Sequence, residues 1–462
     1  MSLLNKLFLL FFLVLSFKSN CQNTDSIALR KNFDYYLTKS NCYKNLEFLT
    51  TKIESRLSGS PGAAKAVTWA KKAMYEAGAD TVYLQPCMVP HWVRGEKETC
   101  FNIDSKTKHK INYSICALGN SVGTTPNGIN ANVIIVNSFN QLDSLGEKNI
   151  KGKIVFFNVF FDHKHLSTGS CYGETVTYRY SGPSKAAKYG AIATIVRSMS
   201  SINNDFPHTG VMGYDTVVSI TKIPACAISF SSADQLVNQL KNKPSLSLHL
   251  KTSCEMLKKE LSYNVVGEIK GSKKPNEIIM AGGHLDAWDN GQGAHDDGAG
   301  VVQAIEILAM YKKQNIKPQH TIRAVAFMNE ENGGAGGKAY FEDTKENNLK
   351  HIAALESDAG GFSPRGISID TTDGAFKKVL TWKSLLDPYF VQYIKPGGHG
   401  ADISYLQALG VPLIGFEPDG QKYFDYHHTS DDTFDKINKR ELELSAGVIG
   451  SLIYLIDVKG FQ

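Results

Sequence analysis

The sequence predicts an α/β fold: a mixed, mostly parallel sheet flanked by helices, with an inserted, mostly β module. Three observations lead there. Apolar runs alternate with helix-period segments after about Tyr263, whereas short β runs with turns fill the stretch from about Val93 to Cys254. The third is that acids or imidazoles follow the late apolar runs one after another. Open α/β sheets form their sites in the crevice beyond the carboxyl ends of strands, so this placement bears on function too.

Taken in order, residues 1–21 carry Lys6, then the apolar run Leu7 to Phe17, with no acid before Asp25. That run is shorter than the roughly 20 residues a bilayer-spanning helix needs, so it reads as an export signal cleaved before Gln22. A secreted or exported protein without stable membrane insertion is expected. Leu46, Leu49, Ile53 and Leu57 fall at helical spacing until Ser58-Gly59-Ser60-Pro61-Gly62 breaks the pattern. A second helix is predicted over Ala63 to Gly78, with Ala66, Val67, Ala70 and Met74 on one face, and a strand over Thr81 to Leu84. Residues 22–95 then form the first part of the main domain, 96–255 the insert, and 256–462 the remainder that carries the site.

Within the insert, Ala131 to Val136, Lys153 to Phe157 and Ala191 to Val196 read as strands, with a helix over Ser184 to Lys188. Beyond it, Ile278 to Met280, Thr321 to Phe327, Ile352 to Leu355 and Val411 to Phe416 read as strands, and Gly300 to Tyr311 as a helix.

The 462 residues exceed one ordinary domain, and their formal charge of +5 is spread over many lysines. No basic stripe is interleaved with aromatics, which argues against nucleic-acid binding. None of the seven cysteines beyond Cys21 has C-x-x-C spacing, so a thiolate metal site is not expected. Disulfides are permitted in an oxidising compartment, but their pairing cannot be read. Gly119-Asn120-Ser121-Val122-Gly123 matches the serine nucleophile elbow formally. Thr124-Thr125-Pro126-Asn127-Gly128 follows where that elbow needs a helix, so it reads as a loop.

The chemistry lies elsewhere. His284 leads an H-x-D on a glycine-rich loop after a strand, and Asp286 fits a group that fixes the imidazole tautomer. Asp296 and Asp297 precede a helix; two adjacent acids exceed what capping needs, and a bridging carboxylate is the natural second use. Glu330 and Glu331 end a strand and divide naturally into one metal ligand and one general base. Asp358 precedes Gly360-Gly361, and His427-His428 precede Thr429-Ser430-Asp431-Asp432. Zinc takes imidazole nitrogen and carboxylate oxygen, and there are enough such groups for two ions sharing a carboxylate. A metal-dependent hydrolase is expected.

Together G-G-H-L-D-A-W-D, G-Q-G-A-H-D-D-G-A-G, N-E-E-N-G-G, E-S-D-A-G-G and H-H-T-S-D-D-T resemble the co-catalytic zinc aminopeptidase/carboxypeptidase family. The stretch from Gly152 to Ala191 is similar to the protease-associated domain that such enzymes carry as an insert. The resemblance implies two Zn²⁺ ions per chain. His284 and Asp358 would hold one, Glu331 and His428 the other, and Asp296 would bridge them; the frame favours His428 over His427. It further implies Glu330 as general base, a cis peptide before Asp297, short peptide substrates with free N-termini and a possible homodimer. A broad aminopeptidase on longer peptides is the alternative enzyme. A receptor-like binding protein of the same fold would be expected to have lost ligands, and none is missing here.

Overall fold

In the computed structural model, residues 24–53, 55–104, 106–215 and 221–461 are described; the expected export signal lies outside them. The main sheet has eight strands: β1 (Thr81–Val89), β2 (Glu260–Ile269), β3 (Lys274–His284), β4 (His320–Phe327), β5 (Lys350–Glu356), β6 (Pro364–Asp370), β7 (Tyr393–Pro396) and β8 (Leu413–Pro418). Their spatial order is β1-β2-β4-β3-β5-β8-β6-β7. The centre, β4-β3-β5-β8, is parallel, while β1, β2 and β6 run antiparallel to their neighbours on that side. This is the mixed, mostly parallel sheet the sequence predicts.

Burial on both faces explains why the central strands read as continuous apolar runs. Ile278, Ile279, Met280, Val325, Phe327, Ala354 and Leu355 are all buried. One face is covered by the Ala299–Lys313 helix, buried from Ala299 through Tyr311, and by the Lys439–Lys459 helix behind it. Periodicity gives little warning of the latter, because a helix apolar nearly all round lacks an amphipathic stripe. Register carries the chemistry to one edge: His284 pairs with Phe327, and Gly282 with Glu356, so β3, β4 and β5 end side by side.

The insert has its own eight-stranded sheet, with every strand lying between Thr99 and Lys251. Its predicted mostly β character needs correction. Strands Ile129–Val136, Ile154–Phe157, Ala193–Arg197 and Ala225–Ile228 are parallel neighbours. Helices Phe139–Ile150, Thr168–Tyr180, Gly182–Lys188 and Phe230–Asn242 accompany them. Parallel neighbours need crossovers; helices supply the first two, and the third, residues 198–224, has none among its described residues. Only Gly182–Lys188 was foreseen; a polar helix such as Thr168–Tyr180 resembles a loop in sequence. The G-x-S-x-G segment is a loop, as expected.

Insert and main sheet are packed together. Phe424, which follows β8, is buried in the insert's apolar cluster beside Phe161, a burial worth about 2 kcal/mol. Trp92, Trp288 and Ala117 form a second junction, where Arg94 Nε donates to Asp289 Oδ2 over 2.9 Å. All seven cysteines among the described residues are buried free thiols. No helix among the described residues is long and apolar enough to cross a membrane.

Candidate active site

The site sits where β3, β4 and β5 end. His284 is the last residue of β3, Glu330 and Glu331 follow β4, and Asp358 follows β5. The turn from Ala294 to Gly298 presents Asp296, and the peptide between Asp296 and Asp297 is cis. His427 and His428 come from the loop after Tyr423–Tyr426, where His428 has a φ of 62°.

Asp296 is the centre of the arrangement. Its Oδ1 lies 3.1 Å from His284 Nε2, and that nitrogen is 3.6 Å from Asp358 Oδ1. Its Oδ2 lies 3.3 Å from His428 Nε2, which is 3.0 Å from Glu331 Oε2. One carboxylate thus faces two histidine–carboxylate pairs, one with each oxygen. His427 stacks on His428 with ring centroids 3.5 Å apart, and its Nε2 is 3.8 Å from Asp296 Oδ2. His428 therefore reaches both Asp296 and Glu331, whereas His427 approaches Asp296 from farther away.

Burial makes these charges costly. It pushes the Glu330 carboxyl well above its usual range, reinforced by the charges of Asp358, Glu331 and Asp296. Glu331 is pushed up to about 7 by burial and then by Asp296. Burial opposes charging of His428, but Glu331 and Asp296 outweigh it and raise the imidazole to about 10. Asp296 Oδ2 and Glu331 Oε1 are buried without a hydrogen-bond partner. Buried lone pairs left unsatisfied and crowded with like charge fit a cation held among them, and the mixed imidazole–carboxylate set fits zinc chemistry.

The adjacent acids have different partners. Asp297 faces away from the histidines: it accepts from the backbone N–H of His284 at 3.0 Å and of Gly300 at 2.9 Å, capping the Ala299–Lys313 helix. Asp286 also needs correction. His284 Nδ1 pairs with the main-chain carbonyl of Asp286, 2.9 Å away, so it is the backbone that orients the imidazole. The Asp286 carboxylate instead accepts from the N–H groups of Asn329 at 2.6 Å and Glu330 at 3.1 Å. It holds the turn that aims Glu330.

Two supporting residues escaped sequence reasoning. Asp432 accepts from the N–H groups of His295 at 2.8 Å and Asp296 at 3.1 Å, fixing the backbone of the central aspartate. The buried Arg56 donates to the carbonyls of Leu285 at 2.7 Å and Gly293 at 2.6 Å beneath the loop. The Asp-Asp-Thr run hinted at Asp432. Nothing local marks Arg56, whose partners lie more than two hundred residues away.

The insert reaches this centre. Thr209 N donates to His428 O over 3.0 Å, and His428 Nδ1 lies 3.3 Å from Thr209 O and 3.4 Å from Arg179 Nη1. Ser167, Thr168 and Gly169 of the insert line a cavity of about 540 Å³ together with Asp358, Arg365 and Tyr423.

Comparison with known proteins gives the family. The model of Peptidase family M28 matches residues 264–453. Carboxypeptidase Q of Homo sapiens is 33% identical over 422 residues, covering 91% of this chain and 86% of that protein. The chain belongs to peptidase family M28. It is a hydrolase of peptide bonds and a metallopeptidase, the class its motifs predict. Carboxypeptidase Q of Xenopus laevis is 35% identical over 418 residues, covering 90% and 86% of the two chains. The crystal structure of a Peptidase M28 precursor from Shewanella amazonensis SB2B superposes with a TM-score of 0.89 at 33% identity, covering 94% of this chain and 97% of that one. BSAP, a zinc aminopeptidase from Bacillus subtilis, shares the fold with a TM-score of 0.65 at 18% identity, covering 90% and 95%.

Proposed function

We propose that this M28 peptidase is a two-zinc exopeptidase that hydrolyses dipeptides and short peptides with free N-termini. The observation that carries the reading is Asp296, with each of its oxygens facing a separate histidine–carboxylate pair. His284 and Asp358 would hold one ion, Glu331 and His428 the other, with Asp296 shared. Zinc bound there would supply Lewis acidity and lower the pKa of water.

The rest falls to the chain's own groups. Glu330, with its carboxyl held high by burial and neighbouring acids, is suited to take a proton from water and return it to the leaving amine. Asp286 keeps Glu330 aimed through its backbone N–H, and the Asp286 carbonyl keeps Nε2 of His284 turned towards Asp296. The cavity beside Asp358, about 540 Å³ and walled partly by the insert, is of a size for small ligands such as short peptides. The relatives named carboxypeptidase Q support exopeptidase action, and BSAP supports zinc.

Residues 96–255 are taken as the protease-associated insert, and the run from Leu7 to Phe17 supports export. N-terminal sequencing of the mature chain tests export, and sedimentation tests the implied homodimer.

The deciding experiment is a panel of dipeptides and tripeptides with free or blocked termini, run on zinc-reconstituted protein beside Glu330→Gln. Dipeptide hydrolysis lost on blocking the N-terminus is expected. Equal rates on long peptides would turn the assignment to a broad aminopeptidase, and indifference to Glu330→Gln would remove the proposed base.

A further inference from the structure

Away from the cleft, the insert holds a second group of metal-ligating side chains. Asp162 and His165 lie on the loop leading into the Thr168–Tyr180 helix, and Glu174 lies on that helix. One ligand atom from each falls within 4.8 Å of the others.

The local fold prepares this grouping. His165 N donates to Asp162 O over 3.1 Å, closing a turn that sets the two side chains three residues apart on one side. The Cys171 thiol donates to the same carbonyl over 3.3 Å and pins the turn against the helix, one turn before Glu174. His165 Nε2 comes to 2.8 Å from Glu174 Oε1. Yet that nitrogen has almost no solvent contact and no partner in hydrogen-bond geometry. A simple imidazolium–carboxylate pair at that separation would direct its N–H along the contact. An imidazole nitrogen brought close to a carboxylate oxygen but not aimed at it is what two ligands of one cation look like.

We propose that Asp162, His165 and Glu174 form a divalent-cation site, suited to zinc, that clamps this loop onto the Thr168–Tyr180 helix. Two carboxylates and one neutral imidazole balance a dication and leave a coordination position for water. Zinc bond lengths of about 2.0–2.2 Å put ligand atoms roughly 3.4 Å apart, so small side-chain rotations close the site. The site is separate from the catalytic groups but lies on a segment that touches the cleft. Leu166 O accepts from Gln421 Nε2 at 2.8 Å, and Thr168 Oγ1 donates to Gly420 O at 2.7 Å. Ser167, Thr168 and Gly169 then wall the cavity that contains Asp358. A cation here stiffens one wall of the substrate cavity without joining the reaction.

The test compares full-length wild type, His165→Ala and Glu174→Gln after equilibrium dialysis against a zinc buffer, with metal per chain read by elemental analysis. Each variant is expected to hold one equivalent fewer than wild type and to lose the part of the zinc-dependent rise in Tm seen at higher zinc. Circular dichroism without added metal checks that the variants fold, and Glu174→Gln keeps the proposal testable should His165→Ala misfold. Equal metal content in all three proteins would overturn the site, as would superimposable zinc dependence of Tm. The catalytic groups are common to all three chains, so the difference reads this cluster alone, whatever the cleft holds.

Discussion

Both sheets bring parallel strands to a common edge, yet only one edge carries catalytic chemistry. In the insert, the four parallel strands are followed by Asn137, Asn158, Ser198 and Ser229. Several of these ends are satisfied internally. Asn158 Oδ1 accepts from Arg197 Nε at 2.7 Å, Ser198 Oγ from His208 N at 2.8 Å, and Ser229 Oγ donates to Asp205 Oδ1 over 2.6 Å. In the main sheet the strand ends carry His284, Glu331 and Asp358 around Asp296, and a buried carboxylate oxygen of each of Asp286, Asp296 and Glu331 has no partner there. Parallel topology offers an edge; what the edge does depends on whether its polar groups are already bonded. Satisfied ends hold the loop that reaches His428, and unsatisfied ends are left to bind something else.

The contrast can be broken at its centre. Asp296→Asn replaces one of the two charged oxygens with an amide nitrogen and should abolish both zinc retention and turnover, the largest effect expected. Elemental analysis beside a dipeptide assay reads it, and full metal content in this variant would contradict the shared role. Next comes Glu330→Gln, expected to keep its metal while turnover falls by about 10²–10⁴. Asp286→Ala strands the N–H groups of Asn329 and Glu330 at a cost of about 1–3 kcal/mol, and should lower kcat by roughly 10–100-fold with metal content largely retained. A drop in metal as large as in Asp296→Asn would mean that Asp286 acts on His284 rather than on the base.

A paired substitution sharpens the same comparison within the insert. A Cβ at Gly210 would lie 2.4 Å from Arg179 Nη1 and 2.7 Å from His428 Nδ1, whereas one at Gly152 meets nothing within 4 Å. Gly152 at φ 74° lies near the left-handed region, where alanine costs about 1 kcal/mol, whereas Gly210 at φ 131° lies outside it and pays more in backbone strain as well. Only Gly210→Ala should also reduce turnover, and equal kinetics in the two variants would show that the insert's contact with His428 is incidental.

The smallest effect is on stability. Burial raises Glu306 to about 7 from 4.5, despite the hydrogen bond donated by Tyr35. The folded chain keeps this proton where the unfolded chain has lost it, so stability falls as pH rises from about 4.5 to 7 and the deficit then stays constant. Glu306→Gln should therefore gain on the order of 2–3 kcal/mol above pH 7 and nothing near pH 4, as read by denaturant melts at both values. A pH-independent gain would place the effect in packing rather than in charge.

Much of this was legible beforehand because β3, β4, β5 and β8 are buried on both faces and show as unbroken apolar runs, with a ligand-type residue after each of the first three. β2, β6 and β7 were missed: β2 and β6 mix polar residues and glycine with their apolar ones, and β7, next to Gly397-Gly398, is four residues long with little apolar content. Of the insert's helices only Gly182–Lys188 was foreseen; Thr168–Tyr180 is polar enough to read as a loop, and Phe139–Ile150 and Phe230–Asn242, which bury apolar residues on one face, were missed.

By itself, the order of residues determined which elements form and that imidazoles and acids cluster past the strand ends, since periodicity and burial act locally along a chain. Only the tertiary structure showed which N–H groups Asp297 accepts from, gave the His284 tautomer to a carbonyl, and put Asp432 and Arg56 under the site. Asp432 and Arg56 bond partners more than a hundred residues away, of which local sequence carries no record, while Asp297 and His284 bond near neighbours that only the folded loop brings into line.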